Sequence, residues 1–335
     1  MAGPRSGLGR DLHTLGASTT IRGMLDPALE RLVVALNSVV RGKPEVIEAA
    51  LVAVLARGHI LLEDVPGVGK TTLAESLARG LGCSFRRVQF TSDLLPSDIL
   101  GVSVYSQRDE RFVFREGPIF SNVLLADEIN RTTPKTQSSL LESMNEGQVS
   151  LDDTTRPLPQ PFIVVATQNP QDFHGTYPLP ESQLDRFMVR VRMGYPAQET
   201  EREILSRPPG ARPTLSVPAC LDPERLLELQ RQVDAVRVDP LVLDYLLALV
   251  RETRRTPLVA LGASTRGALA LQSACRARAY LQGRAFVLPD DVKALAVPVL
   301  AHRLSLAART EAGSATREQA ERVVSDLLEK VPVPV

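Results

Sequence analysis

Residues 59–72, HILLEDVPGVGKTT, place a glycine-rich turn, a lysine and two threonines directly behind a short apolar run. That order of parts suits a nucleoside triphosphate. Backbone N–H groups of such a turn curl around phosphate oxygens, and the helix start behind it adds partial positive charge. Pro66, Gly67, Val68 and Gly69 form the turn, Lys70 can reach the outer phosphates, and Thr71 and Thr72 open the helix, with the Thr71 hydroxyl as a Mg²⁺ ligand. The general pattern G-x-x-x-x-G-K-[ST] asks for glycine at position 64, where this chain has Asp64. An unrelated turn of the same composition is the competing reading, so other residues must decide.

Two further apolar runs end in polar residues. Residues 123–126 (VLLA) run into Asp127 and Glu128, and residues 162–166 (FIVVA) close on Thr167, Gln168 and Asn169. A carboxylate at the C-terminal end of a buried parallel strand points into the crevice where such sheets bind ligands. Asp127 suits a Mg²⁺ contact there, and Glu128 suits orienting or deprotonating the attacking water. Asn169 can hydrogen-bond that water or the γ-phosphate. The competing roles are a solvated turn for the acidic pair and a turn former before Pro170 for the amide.

The elements that must hold these residues are read from periodicity. Leu25, Leu29, Leu32, Val33 and Leu36 share one helical face, and Pro44 opens a second helix to about Ala56. Strands at Ile60–Leu62, Arg87–Phe90, Val123–Ala126, Phe162–Ala166 and Met188–Arg192 alternate with helices, which predicts a parallel sheet covered on both faces. Val102–Tyr105 with Phe112–Phe114, and Val149–Leu151 with Arg156–Leu158, break that rhythm and read as exposed hairpins, the second tipped by Asp152-Asp153. Such projections are candidates for partner contact.

Four segments result: a mobile tail over 1–20, an α/β core over 21–205, a Pro-rich linker over 206–221 and a helical domain over 222–335. In the last, Asp222-Pro223 and Asp239-Pro240 each read as an N-cap followed by proline. Ser264 starts a third helix, and Asp290–Arg303 forms a fourth with a kink at Pro298. Thr316-x-x-Gln319 reads as a capping box before a short final helix.

Composition narrows the class. The 335 residues carry 39 Lys+Arg against 39 Asp+Glu, so the basic excess expected of a nucleic-acid binder is missing. Three scattered cysteines, Cys83, Cys220 and Cys275, suit a reducing compartment, and four histidines without ligand spacing give a metal centre little weight. No apolar run is long enough to span a bilayer, and the N-terminus lacks the apolar core of a secretory signal. The expectation is a cytoplasmic protein.

In order, VVRGK, LLEDVPGVGKT, LLADEINRTTPKTQSSLLESM, VVATQNP, LPESQLDRF and GASTRGAL resemble the MoxR family of AAA+ ATPases, from about Val39 to Arg303. The resemblance implies an AAA+ P-loop core with a five-stranded parallel sheet of order 5-1-4-3-2 and a small α-helical lid. Gly67, Gly69, Lys70 and Thr71 match Walker A, Asp127 and Glu128 match Walker B, and Asn169 matches sensor 1. Arg186 matches the arginine finger, Arg266 matches sensor 2, and Val40 and Gly42 match the segment lining the adenine pocket. Asp64 departs from the general pattern in a way that family members tolerate, and GASTRG stands where they more often have GASPRA.

The implied activity is Mg²⁺-dependent ATP hydrolysis driving chaperone-like remodelling of a protein client. The implied assembly is a homo-oligomer, a hexameric ring in the family's manner, working with a von Willebrand factor A domain partner. A chelatase-like or nucleic-acid motor and a non-hydrolysing ATP-gated scaffold are the alternatives. Neutral charge and Asp152-Asp153 disfavour a nucleic-acid cargo, and Glu128, Asn169 and Arg186 together disfavour the scaffold. Arg131 is open to an intersubunit contact or a structural ion pair.

Overall fold

The structure is a computed structural model that describes residues 26–151, 154–169, 176–206, 208, 210, 212–307 and 313–334. The expected tail over 1–20 and the Asp152-Asp153 tip lie outside the described residues, as does part of the linker. Among the described residues the first element is α1 (Pro27–Val39), where the Asp26 carboxylate accepts from Ala28 N–H at 2.7 Å and Pro27 presets the first turn. Next come α2 (Pro44–Leu55), β1 (Ile60–Glu63), α3 (Lys70–Gly80), β2 (Phe85–Gln89) and α4 (Pro96–Leu100). A hairpin of β3 (Gly101–Ser106) and β4 (Arg111–Glu116) precedes β5 (Val123–Asp127) and α5 (Pro134–Glu146). A second hairpin, β6 (Gln148–Leu151) with β7 (Thr154–Pro157), leads to β8 (Ile163–Gln168), α6 (Glu181–Leu184), β9 (Val189–Val191) and α7 (Gln198–Leu205).

Five strands form one parallel sheet in the order β2-β5-β8-β1-β9. Counted along the chain among these five, that is the expected 5-1-4-3-2. Because strand side chains alternate between faces, the same strands supply two cores. Ile60, Leu62, Val123, Leu125, Ile163 and Val165 pack on one side, and Leu61, Leu124, Ala126, Val164 and Ala166 on the other. The register aligns the strand ends, with Glu63 opposite Gln168 and Gln89 opposite Asp127. Polar residues that end separate apolar runs therefore meet along one edge.

The helical part comprises α8 (Pro223–Asp234), α9 (Pro240–Arg255), β10 (Val259–Leu261), α10 (Thr265–Leu281), α11 (Pro289–Leu300), β11 (Ser305–Leu306) and α12 (Gly313–Lys330). Asp222, Asp239 and Ser264 act as N-caps through side-chain oxygens. Pro298 sits in the last turn of α11, which passes into a 3-10 turn at Ala301–Arg303. The final helix differs from expectation. It starts at Gly313 and runs 18 residues, so Thr316 lies inside its first turn rather than capping a short helix. These helices share one buried apolar cluster with α1 to α3, and Gln230 Nε2 donates to the Val54 carbonyl at 2.7 Å. No helix among the described residues is long and apolar enough to cross a membrane.

His59, just before β1, shows how the sheet's N-terminal edge is fixed. Its Nδ1 accepts from Val164 N–H at 3.1 Å, and its Nε2 lies 3.2 Å from the Met144 carbonyl at the end of α5. Burial pushes the imidazole down to about 4. A histidine harder to protonate folded than unfolded contributes stability that is complete above its unfolded value near 6.5 and drains as pH falls toward 4. We expect His59 to cost about 3 kcal/mol on that descent, from about 1.4 kcal/mol per pKa unit. Urea midpoints measured at pH 7 and pH 4.5 test this. His59→Gln keeps a donor and an acceptor but cannot titrate, so its stability should fall less steeply; an unchanged slope would remove His59 from the account.

Candidate active site

The turn after β1 is built on two glycines in the left-handed region, Gly67 at φ +87° and Gly69 at φ +96°. Side chains rarely adopt such angles, which is why glycine recurs there. Lys70, the first residue of α3, is almost fully buried and folds back over the turn. Its Nζ donates to the carbonyls of Asp64 at 2.6 Å and Val65 at 3.1 Å. Burial pulls the amine below the ordinary lysine range, while Asp64, Asp127 and Glu128 oppose that pull. Parallel pairing of β1 with β8 and of β8 with β5 brings the end of β5 to the same edge as the turn.

Asp127 is buried, and both of its carboxylate oxygens accept hydrogen bonds. Its Oδ1 accepts from the Thr167 hydroxyl at 2.6 Å, and its Oδ2 accepts from Arg87 Nη2 at 2.6 Å. Glu128 adopts φ +58°, a left-handed angle unusual for any residue but glycine. That backbone is held by its N–H donating to Thr167 Oγ1 at 2.8 Å. The Glu128 carboxylate accepts from Gln89 Nε2 at 2.8 Å and pairs with Arg131 Nε at 3.1 Å. Within this chain Arg131 thus forms an ion pair with Glu128. Asn169 is buried just beyond the end of β8, two residues after Thr167, and its carbonyl accepts from Asn130 Nδ2 at 3.4 Å. Gln89, Arg87 and Thr167 are partners that residue type alone did not single out. Their signal is the strand register, which puts Gln89 opposite Asp127 and places Arg87 two residues earlier on the same face.

The Val40–Gly42 turn packs against the segment that follows β9. Lys43 Nζ donates to the Tyr195 carbonyl at 2.8 Å, Arg41 pairs with Glu203 on α7, and a Cβ on Gly42 would come within 3.2 Å of Thr200 Oγ1. At the same edge the Glu63 carboxylate is buried between Arg190 and Arg317. Burial alone would raise it, but the two guanidinium groups outweigh that and hold it below the usual carboxylate range. Arg317 thereby ties α12 to the end of β1.

Arg186 and Arg266 lie elsewhere. Arg186 Nη1 donates to the Leu141 carbonyl, and Arg266 Nη2 donates to Asn145 Oδ1. Both acceptors are in the second half of α5, which runs from the turn's edge of the sheet back toward the edge marked by His59 and Met144. Leu141 stands seven positions along α5 from Pro134, about 10 Å at 1.5 Å per residue. The structure therefore gathers Lys70, Thr71, Asp127, Glu128 and Asn169 into one group and collects Arg186 and Arg266 into another. Asp185 is paired with Arg303 at 2.7 Å, not with Arg186. Arg186 Nε is buried without a hydrogen-bond partner among the described residues.

A hydroxyl and a carboxylate are fitting ligands for a hard cation, and the lysine and N–H groups of the turn beside them suit phosphate oxygens. Each Asp127 oxygen has one strong donor or donor pair and retains acceptor capacity. The group can therefore hold a metal-bound polyphosphate next to a carboxylate placed to take a proton.

Comparisons with known proteins agree with this geometry. Residues 59–189 match the ATPase family associated with various cellular activities (AAA), and residues 251–327 match the AAA lid domain. YeaC, an uncharacterized protein of Bacillus subtilis (strain 168), is 47% identical over 93% of this chain and 96% of its own. Chaperone MoxR1 of Mycobacterium tuberculosis is 40% identical over 99% of this chain and 85% of its own. A crystal structure of a candidate ATPase from Cytophaga hutchinsonii superposes with a TM-score of 0.83 at 36% identity, covering 92% of this chain and 95% of that one. With a MoxR protein alike over 99% of the chain and the AAA core and lid both matched, the chain belongs to the MoxR family of AAA+ ATPases.

Proposed function

We propose that this chain hydrolyses ATP in a Mg²⁺-dependent reaction, as one subunit of a homo-oligomeric ring. The observation that carries the reading is the sheet order and register, which set the ends of β1, β8 and β5, and with them the Gly67–Lys70 turn, Asp127 and Glu128, along one edge. Lys70 and the turn's N–H groups would hold the phosphates, and Thr71 and Asp127 would hold Mg²⁺. When bound there, Mg²⁺ supplies charge neutralisation for the phosphate oxygens. Glu128 would take the proton of the attacking water, and Asn169 would orient that water. Val40 and Gly42 would line the base, with Pro66, Val68 and Thr72 completing the phosphate cradle.

The placement of Arg186 and Arg266 supports the ring. Bonded to the far half of α5, they stand away from their own chain's phosphate turn, so their charge is available to the site of a neighbouring copy. A heterologous contact of that kind closes into a ring when the rotation allows it. A hexamer, a von Willebrand factor A domain partner and a cytoplasmic location extend the reading from the family resemblance. The chaperone name of the mycobacterial relative supports a protein client remodelled by turnover.

Phosphate release tests the central claim. Purified protein should release phosphate from ATP with Mg²⁺ and not with excess chelator, at a specific rate that rises with protein concentration as rings assemble. Turnover that is equally fast with chelator, or absent at every concentration with binding intact, would sink the reading.

A further inference from the structure

The aspartate that replaces the pattern's first glycine has four bonding partners, and each belongs to a different part of the site. Asp64 N–H donates to the Gln168 carbonyl at 3.1 Å, one residue before Asn169. Its Oδ1 accepts from Val65 N–H at 2.8 Å, inside the phosphate turn. Its Oδ2 accepts from Gly194 N–H, just beyond β9, and its carbonyl accepts from Lys70 Nζ at 2.6 Å. A glycine at position 64 would keep the two backbone bonds and lose both carboxylate bonds.

The bond to Gly194 fixes the residues on either side of it. Met193 Cε would lie 3.6 Å from a Cβ on Gly69, so the segment after β9 runs alongside the phosphate turn. Tyr195, next in the chain, has its carbonyl tied to Lys43 Nζ at 2.8 Å, while the residue itself is 75% exposed. Its ring enters no aromatic pair among the described residues. A large aromatic ring held at the backbone on both sides, exposed, and one residue from a bond to the phosphate turn is a platform for a flat heterocycle. Base–aromatic stacking is sequence-tolerant and strong enough to matter for affinity.

We propose that Asp64 is a positioning residue that latches the phosphate turn to Gly194 and so presents Tyr195 as a stacking surface for the nucleobase. This rests on the ATP reading above and adds residues that bind the base rather than the phosphates. Asp64 acts through Gly194 and Tyr195 and touches no reacting atom. The Gly194–Tyr195 backbone is also braced by Lys43. The latch therefore sets position and does not decide whether the segment folds.

Calorimetric titration with ADP and with inorganic pyrophosphate, both with Mg²⁺, separates base from phosphate recognition. Asp64→Gly restores the general pattern and should leave the turn able to form. It should weaken ADP about tenfold, the loss of one stacked base, while pyrophosphate binds no worse than to wild type. Tyr195→Ala, a surface change, should show the same split, and the double variant should lose little more than either alone. Asp64→Asn keeps an acceptor oxygen and should recover part of the ADP affinity. ADP affinity unchanged in Asp64→Gly, or pyrophosphate affinity falling in parallel with ADP, would overturn the proposal. Wild-type protein binding neither ligand would overturn it together with the ATP reading, so the two failures are distinguishable.

Discussion

Glu128→Gln should bind ATP as tightly as the parent and turn it over about 10²- to 10⁴-fold more slowly, the usual worth of a general base. The change is nearly isosteric and removes the negative charge together with the capacity to take a proton. An amide oxygen can still accept from Gln89 and Arg131, which hold the carboxylate at 2.8 and 3.1 Å. The Glu128 backbone, at φ +58°, is held by Thr167 through its N–H and is untouched by the substitution. Loss of turnover with binding intact would therefore report chemistry and not collapse of the strand end. Single-turnover phosphate release with equilibrium binding of labelled ATP measures both quantities, and undiminished turnover would refute the role of Glu128. The same variant, trapped with ATP, is the bait for capturing a client and a partner.

Arg186→Ala should lower turnover about 10³- to 10⁵-fold, the range for an arginine that neutralises transition-state charge, with ATP affinity changed by no more than about threefold. The local cost is small, because the side chain gives up one bond to the Leu141 carbonyl and its Nε has none to lose among the described residues. Its position predicts a result that a cis residue would not give. Mixed with Glu128→Gln protein, inactive Arg186→Ala subunits should regain activity. In a heterologous ring, about a quarter of randomly formed contacts then pair an intact Glu128 with an intact Arg186 from the neighbour. No recovery in rings shown to be mixed would place Arg186 outside the shared site.

Much of this site was legible before any fold was known, for one physical reason. The phosphate turn, the carboxylates ending β5 and the N-caps at Asp222, Asp239 and Ser264 depend on residues within a few positions of one another, and short-range stereochemistry dictates them. Parallel strands were legible because a strand buried on both faces must be apolar throughout. The same local logic misread α12. A capping-box pattern at Thr316 is consistent with a helix start, yet the helix begins at Gly313 and packs along the shared apolar cluster. Burial of Ala320, Val323, Val324 and Leu327 outweighs one cap, which is worth about 1 kcal/mol.

By itself the sequence determined the chemistry on offer: a phosphate turn with Lys70, acidic residues at a buried strand end, and arginines in two later motifs. Tertiary structure decided which of these share a site. Arg87 meets Asp127 and Gln89 meets Glu128 because β2 pairs with β5 in one register. Arg186 and Arg266 are separated from Lys70 because α5 runs back down the sheet and carries their acceptors with it. Asp64 meets Gly194 because β9 lies beside β1, although the two residues are 130 positions apart. Local sequence cannot encode such meetings, since hydrogen bonds and charge act over a few ångströms in space and take no account of distance along the chain.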